Sequence, residues 1–342
     1  MLIDQTLDLP LPRLTQATAP LTCEIATFNE YGEQVAVSIP AERALTVYVD
    51  KRELVTLMTL GAHPELLVLG YLRNQRLVAS AQEVESITVD WAVSAAAVKT
   101  RHGIANIEEK TAKKVVTTGC GQGSVFGALM DDVDQIELPP DAQLTQQQLY
   151  ALVNTIRLKE TTYKSAGSVH ACALFSVADA ASDPEMLLFV EDVGRHNAID
   201  TIAGWMAINM APTLVASRTA LPPQGALRLQ PGKAGSAAPA GEDGAHSASA
   251  SLTSLGRDGL VFYTTGRLTS EMVIKSAQMN VPIVVSRSGI TQMGHQVAQA
   301  VGLCAIGRAT NKRFLVYANP QRLVLQPELA GPRPTPAPRT PS

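Results

Sequence analysis

The sequence predicts an α/β fold: a mixed sheet with parallel pairings and helices packed on it, preceded by a small α+β domain. Three observations predict it. Strand and helix patterns alternate through the C-terminal part of the chain, the order that builds parallel pairings with helices against the sheet. Period-two alternation of apolar residues recurs three times before residue 92, as half-buried strands require. Finally, 342 residues with 46% hydrophobic and 17% charged content suffice for two modest domains or one large one, and they exclude a wholly disordered chain.

Residues 1–20 are rich in Pro, Thr and Gln and are expected to be poorly ordered. The small α+β domain is assigned to 21–114. Within it Val35, Val37 and Ile39 alternate like a strand, as do Leu45, Val47 and Val49, and later Ile87, Val89 and Trp91. Arg52 to Leu72 reads as helical, broken near Gly61 and restarted around Pro64. The second domain is assigned to 115–325. After a polar, acidic connection (Asp131 to Asp141), Thr145 and Gln148 form a capping box. Leu149, Leu152, Val153 and Ile156 follow at i, i+3, i+4 and i+7, one apolar stripe of a helix. Val169–Val177 and Met186–Val190 flank Ala178–Glu185 as a hairpin, and Ile199, Ile202, Ala203 and Met206 share one face of the next helix.

Residues 222–254 are dominated by Pro, Gly, Ala and Ser and cannot bury enough surface to offset their ordering entropy, so they read as a disordered insertion within the domain. Regular patterns resume at once: Leu260–Tyr263 as a strand, Thr269–Met279 as a helix, Val281–Ser286 as a strand buried on both faces, and Thr291–Val301 as a helix. Residues 326–342 read as a loose Pro-rich tail.

Bulk properties narrow the function. A net charge of −3 gives no sign of a general nucleic-acid binder. Met1-Leu2-Ile3-Asp4 lacks the basic and apolar regions of an export signal, and no apolar run approaches the roughly 20 residues that span a bilayer. Four cysteines at unrelated spacings do not make a disulfide framework, which favours a reducing cytoplasm.

The most informative stretch is Thr117 to Ser124, where Cys120 stands among Gly119, Gly121 and Gly123 after a β-branched run. Glycines let the backbone turn sharply and leave no Cβ to cover the sulfur, so this thiol is the leading candidate for chemistry, as a nucleophile or sulfur carrier. Cys23, Cys172 and Cys304 have apolar neighbours and no such brackets.

A second constellation is Tyr263 to Glu271, between a strand and a helix. Free N–H groups and the helix dipole at such a junction favour a phosphate, Arg267 adds a planar charged fork, and Thr264, Thr265 and Gly266 add donors and a turn. Thr269 as an ordinary N-cap is compatible with this. Arg287-Ser288-Gly289 repeats the arrangement at the next junction, and ligands of open α/β sheets gather at such strand ends. A third, Glu191 to Asn197, gathers two acids, Arg195, His196 and an amide; it fits a ligand site or a salt-bridged helix-capping turn. His170 lies in an apolar run two residues before Cys172. With no acid in the general-base place and no P-C-x-x-C, zinc deamination is disfavoured.

Taken together, the strings TTGCGQGSVFG (117–127), SAGSVHACALF (165–175), VEDVGRHNAID (190–200), YTTGRLTSEMVIKSAQMNVPIVVSRSG (263–289) and GRATNKRFLVY (307–317) resemble the FdhD/NarQ family of formate dehydrogenase accessory sulfurtransferases. The resemblance implies a cytidine-deaminase-like three-layer domain with a mixed sheet and no zinc. It implies that Cys120 accepts sulfur as a persulfide from a cysteine desulfurase and passes it to the bis-molybdopterin guanine dinucleotide cofactor, before that cofactor enters the formate dehydrogenase apoenzyme. The family's cofactor-binding stretch falls on Phe262, Tyr263, Thr264, Thr265, Gly266 and Arg267, for a ligand that GDP or GMP would mimic. From the residues themselves, His170, Arg195, His196 and Arg287 are further ligand-orienting candidates. The partners implied include neither nucleic acid nor membrane, and they leave room for a homodimer. One departure stands out: many members carry a C-x-x-C pair, and the second position here is Gly123. A relay between two cysteines is unavailable at this loop, although a single persulfide is chemically sufficient. That departure keeps a rival open, a non-catalytic chaperone that delivers molybdenum cofactor without moving sulfur.

Overall fold

The computed structural model describes residues 9–105, 107, 115–116, 123–124, 136–159, 162–210 and 259–331. Cys120, the 222–254 insertion and positions 332–342 of the tail lie outside the described residues.

The N-terminal lobe is built on a five-stranded sheet. Strands β1 (Arg13–Leu14), β2 (Thr22–Phe28), β3 (Gln34–Pro40), β4 (Arg43–Val49) and β5 (Arg52–Thr59) precede helix α1 (Pro64–Asn74), followed by β6 (Val84–Asp90) and β7 (Ala95–Thr100). The sheet order is β1-β6-β7-β4-β5, and β2–β3 form a separate hairpin. Leu45, Val47, Leu57, Leu67, Leu72, Ile87 and Val98 pack between this sheet and α1.

The strand expectations around residues 37, 47 and 89 hold, but the helix expected from Arg52 starts only at Pro64, where the ring suits a first helical position. Residues 52–59 are a strand instead. Asp50 and Lys51 both adopt left-handed φ (47° and 74°), the two-residue turn whose twist joins antiparallel strands. Tyr48 then pairs with Glu53 and Val47 with Val55, so Leu54 is an extra, bulged residue. The bulge puts Leu54 and Leu57 on the same buried side at a spacing of three, which imitates a helix in the sequence.

Residues 9–20 also depart from expectation. Arg13 and Leu14 pair in parallel with Ser86 and Ile87, Thr15 bonds to Ile87 and Val89, and the Ala17 N–H donates to the buried Glu65 at 2.7 Å. At the other end, Gln326 is fastened rather than loose: its N–H donates to Gln146, and its side chain accepts from the Gln147 N–H.

The second lobe opens on the antiparallel pair β8 (Val115–Val116) and β9 (Gly123–Ser124). It continues through β10 (Leu144–Thr145), α2 (Gln146–Lys159), α3 (Thr162–Ala166), β11 (His170–Ser176), β12 (Glu185–Asp192) and α4 (Arg195–Asn209). Then come β13 (Leu260–Thr264), α5 (Ser270–Gln278), β14 (Ile283–Ser286), α6 (Gln292–Ala300), β15 (Cys304–Thr310), β16 (Arg313–Ala318) and β17 (Leu323–Val324). The six-stranded sheet runs β12-β11-β13-β14-β15-β16, with β13–β14–β15 parallel and the flanking pairs antiparallel, a mixed sheet as expected.

Alternation along the strands feeds two cores. Cys172, Leu174, Phe262 and Val284 face α4, α5 and α6, while Ala173, Phe175, Tyr263 and Val285 face α2. The capping box is present: the Thr145 N–H donates to Gln148 Oε1 (2.9 Å) and the Gln148 N–H to Thr145 Oγ1 (3.2 Å). No helix among the described residues is long and apolar enough to cross a membrane.

The lobes meet where α1 crosses α4, and two glycines set the distance. A Cβ on Gly70 would lie 1.6 Å from the Asp200 carbonyl oxygen, and one on Gly204 would lie 1.9 Å from that of Leu66. Only hydrogen at both positions allows the two backbones to touch.

Candidate functional site

Parallel neighbours β13 and β14 end side by side, with Thr264 opposite Ser286. Beyond them the chains run on together: Leu268 bridges Ile290, and the Arg287 N–H donates to the Thr264 carbonyl (3.0 Å). Hydroxyls hold this rim in shape. Thr264 Oγ1 accepts from the Gly266 N–H (3.1 Å), Ser286 Oγ donates to the Gly266 carbonyl (2.7 Å), and Thr265 Oγ1 accepts from the Ala171 N–H (3.0 Å). Helices α5 and α6 start just beyond, with Thr269 and Thr291 at their N-caps and the Gly294 N–H donating to Thr291 Oγ1.

Antiparallel pairing of β11 with both β12 and β13 carries His170 to this rim, opposite Asp192. Arg195, at the start of α4, lays its side chain across Gly266, where a Cβ would stand 2.5 Å from Arg195 Cδ. His170 is half-buried, and its imidazole is held below the usual histidine range, by burial first and then by the Arg195 and Arg267 guanidinia. Arg267 and Arg287 are exposed at the two loop tips. The Arg287 guanidinium lies 5.9 Å from the centre of the Tyr163 ring, which α3 presents beside the same rim. The result is a surface with two exposed guanidinia and an exposed aromatic ring, backed by a half-buried neutral imidazole and by the buried Arg195. Its chemistry suits an anion attached to a planar group.

The structure sorts the other sequence candidates. Phe262 and Tyr263 point into the two cores, at 0% and 2% exposure, so they support the rim without reaching a ligand. Thr264 is likewise fully buried and accepts the Cys172 S–H (3.3 Å). Thr265, Gly266 and Arg267 are the members of that stretch at the rim.

His196 does not face the rim. It is buried against Glu271 (3.3 Å), and burial pushes its imidazole down to about 3. Beyond Glu271 the array continues: Lys275 Nζ lies 3.3 Å from Glu271 and 2.9 Å from Asp200, which also accepts from Asn74 of α1 (2.7 Å). Burial alone would lower the Lys275 ammonium, but Asp200 and Glu271 raise it overall.

The two acids of the third constellation make structural hydrogen bonds, although neither caps α4 as the capping reading expected: its N-cap is Gly194, with no side-chain cap. Glu191 accepts from the Thr162 and Tyr163 N–H groups, fixing α3. Asp192 accepts from Thr59 and Leu60 of the first lobe and from Gly194 and Asn197, binding β5 to the start of α4.

Cys172 and Cys304 are buried, their thiols pushed up to about 12 chiefly by that burial, so neither is a nucleophile at neutral pH. Cys23 is exposed on the β2–β3 hairpin. Cys120 falls in the 117–122 connection between β8 and β9, and Gly123, where the second cysteine of a pair would stand, is the first residue of β9, opposite Val116. Tyr163 and the Glu271–Lys275–Asp200 array were not singled out from sequence; a buried lysine four residues after a glutamate inside a helix was the available signal for the second.

Comparison with known proteins fits this picture. The chain matches the model of the FdhD/NarQ family over residues 40–219 and 249–324. It is 27% identical over 302 residues to the sulfur carrier protein FdhD of Bacillus subtilis, spanning 86% of this chain and 94% of that protein. The FdhD of Listeria monocytogenes is 25% identical over 302 residues, covering 88% and 95%. A crystal structure of a formate dehydrogenase accessory protein from Desulfotalea psychrophila aligns with a TM-score of 0.60 at 18% identity, over 89% of this chain and all of that one. At that identity the likeness speaks for the fold.

Proposed function

The chain belongs to the FdhD/NarQ family, and on that premise we propose that it is a sulfur carrier for the maturation of formate dehydrogenase. Cys120 is the carrier. Its thiolate attacks the terminal sulfur of a cysteine desulfurase persulfide, a new S–S bond forms on Cys120, and the desulfurase cysteine leaves as thiolate, so no external oxidant is needed. The acceptor is the bis-molybdopterin guanine dinucleotide cofactor, held as substrate at the ends of β13 and β14, and the reaction belongs in the cytoplasm.

The observation that carries this reading is the cationic rim. Arg267 and Arg287 are positioned to take phosphates, Gly266 makes room for the Arg195 side chain that packs across it, and Arg195 and neutral His170 back the rim from inside. Tyr163 beside Arg287 offers a face for a base. A cytidine-deaminase-like layering of the second lobe is the finer form of the fold in this proposal.

Sulfur transfer is tested by incubating the protein with a cysteine desulfurase and cysteine and measuring intact mass. The expected result is the gain of one sulfur atom on the wild type and none on Cys120→Ala. No gain on the wild type with a desulfurase from the same cell would replace this reading with the cofactor chaperone, which Gly123 in place of a second cysteine favours.

A further inference from the structure

A groove of about 1120 Å³ lies at the β16 edge of the second lobe, and none of the rim residues lines it. Asn311 to Leu315 line it without a gap. Asn311 and Lys312 form the turn into β16, and Arg313, Phe314 and Leu315 are its first three residues; neighbouring side chains of a strand point to opposite faces, so three in a row place the groove along the edge of β16 next to that turn. β16 ends the six-stranded sheet, and no strand among the described residues pairs with its outer edge.

The charge of this groove differs from that of the chain. Arg308, Lys312 and Arg313 line it, all exposed, and no Asp or Glu does, although the protein as a whole carries −3. Among the described residues none of the three forms an ion pair. Arg308 adopts a left-handed φ of 50° where the β15–β16 register slips between Gly307 and Thr310, a bulge of the kind that re-aims a side chain. The floor is firm and apolar. The Tyr150 and Phe314 rings meet tilted at 60° with centroids 6.1 Å apart, Tyr150 Oη accepts from Gln146 (2.8 Å) and donates to the Lys312 carbonyl (3.1 Å), and Leu325 is 59% exposed at one end.

We infer that this groove docks an extended acidic segment of a partner protein, added as a strand along β16 with carboxylates on Arg308, Lys312 and Arg313 and an apolar side chain over Tyr150 and Phe314. An edge supplies backbone hydrogen bonds, an aromatic floor supplies burial, and three unmatched cations select acidic sequences over others. The Arg308 N–H donates to the Ser288 carbonyl at 2.7 Å, next to Arg287, so a partner bound here is held beside the strand-end rim. The inference does not depend on sulfur transfer.

The test uses the full chain and two fluorescein-labelled heptapeptides, one alternating glutamate with leucine and one alternating lysine with leucine, read by fluorescence anisotropy at low salt. The acidic peptide is expected to bind at least tenfold more tightly than the basic one, and at least tenfold more weakly to Lys312→Glu/Arg313→Glu than to the wild type. Hydrogen exchange on the wild type, which needs no variant to fold, is expected to show residues 311–315 protected by the acidic peptide. Equal affinity for the two peptides, no binding of the acidic one, unchanged binding by the double variant, or protection elsewhere would each overturn the inference.

Discussion

Replacing Lys275 by methionine probes the buried charge array that joins α1, α4 and α5. Lys275 is 1% exposed, its ammonium 2.9 Å from Asp200 and 3.3 Å from Glu271, and Asp200 in turn accepts from Asn74 of the first lobe. Methionine is one atom shorter but of similar volume, so little packing is lost and the perturbation is chiefly electrostatic. It leaves two carboxylates without their cation in a region that water does not reach. Removing one partner of a buried pair costs about 3–5 kcal/mol, a large share of the roughly 5–15 kcal/mol that holds a domain together.

Urea unfolding followed by far-ultraviolet circular dichroism at pH 7.5 measures the loss directly. The pH dependence adds a second signature. Burial already raises the Asp200 carboxyl above its usual range, and without Lys275 it rises further. A carboxyl raised in the folded state takes up a proton on folding, so the deficit of Lys275→Met is expected to shrink as the pH falls from 8 toward 5. Asp200→Asn in the same background is expected to recover part of the stability at pH 7.5. A loss below about 1 kcal/mol, the scale of a surface pair, or a deficit independent of pH would refute the reasoning.

Other outcomes follow from the same structure. His196 has a folded-state value near 3 against an ordinary 6.5, so the unfolded chain binds a proton that the folded chain does not. Stability is expected to fall with pH below 6.5, by about 2 kcal/mol at pH 5 from this group, and His196→Gln should remove that part of the slope in urea titrations at pH 7 and 5. Arg267→Ala takes a cation away from His170, so the imidazole is expected to titrate higher in NMR, and GDP affinity by calorimetry should drop; an unchanged affinity removes Arg267 from the site. Gly70→Ala forces a Cβ to within 1.6 Å of the Asp200 carbonyl and is expected to cost about 3 kcal/mol by urea unfolding, at the upper end for overpacking.

Local signals in the sequence were read well. The Thr145–Gln148 box starts its helix, and the junctions after Tyr263 and Val285 lie side by side because strand–helix alternation produces parallel neighbours. Errors arose where one residue changed the period. The bulge at Leu54 turned a strand into an apparent helix, because a spacing of three is common to both. The choice between a ligand site and a structural turn at Glu191 and Asp192 was not legible for a different reason: their partners, Thr162, Tyr163, Thr59 and Leu60, are distant in sequence, and nothing local tells a ligand's donor from a backbone N–H of another element. Tyr163 escaped notice because only the fold brings it to Arg287.

The contact between Gly70 and Gly204 has a bearing on movement. Helices touching main chain to main chain leave no cushion of side chains over which one lobe could swing against the other, and Asp192 clamps a second point of the same seam. Opening and closing around a guest then falls to surface loops, and a fragment cut near residue 114 would bare an apolar scar along α4. Calorimetry on the intact chain should register one melting event, with no early release of the N-terminal part.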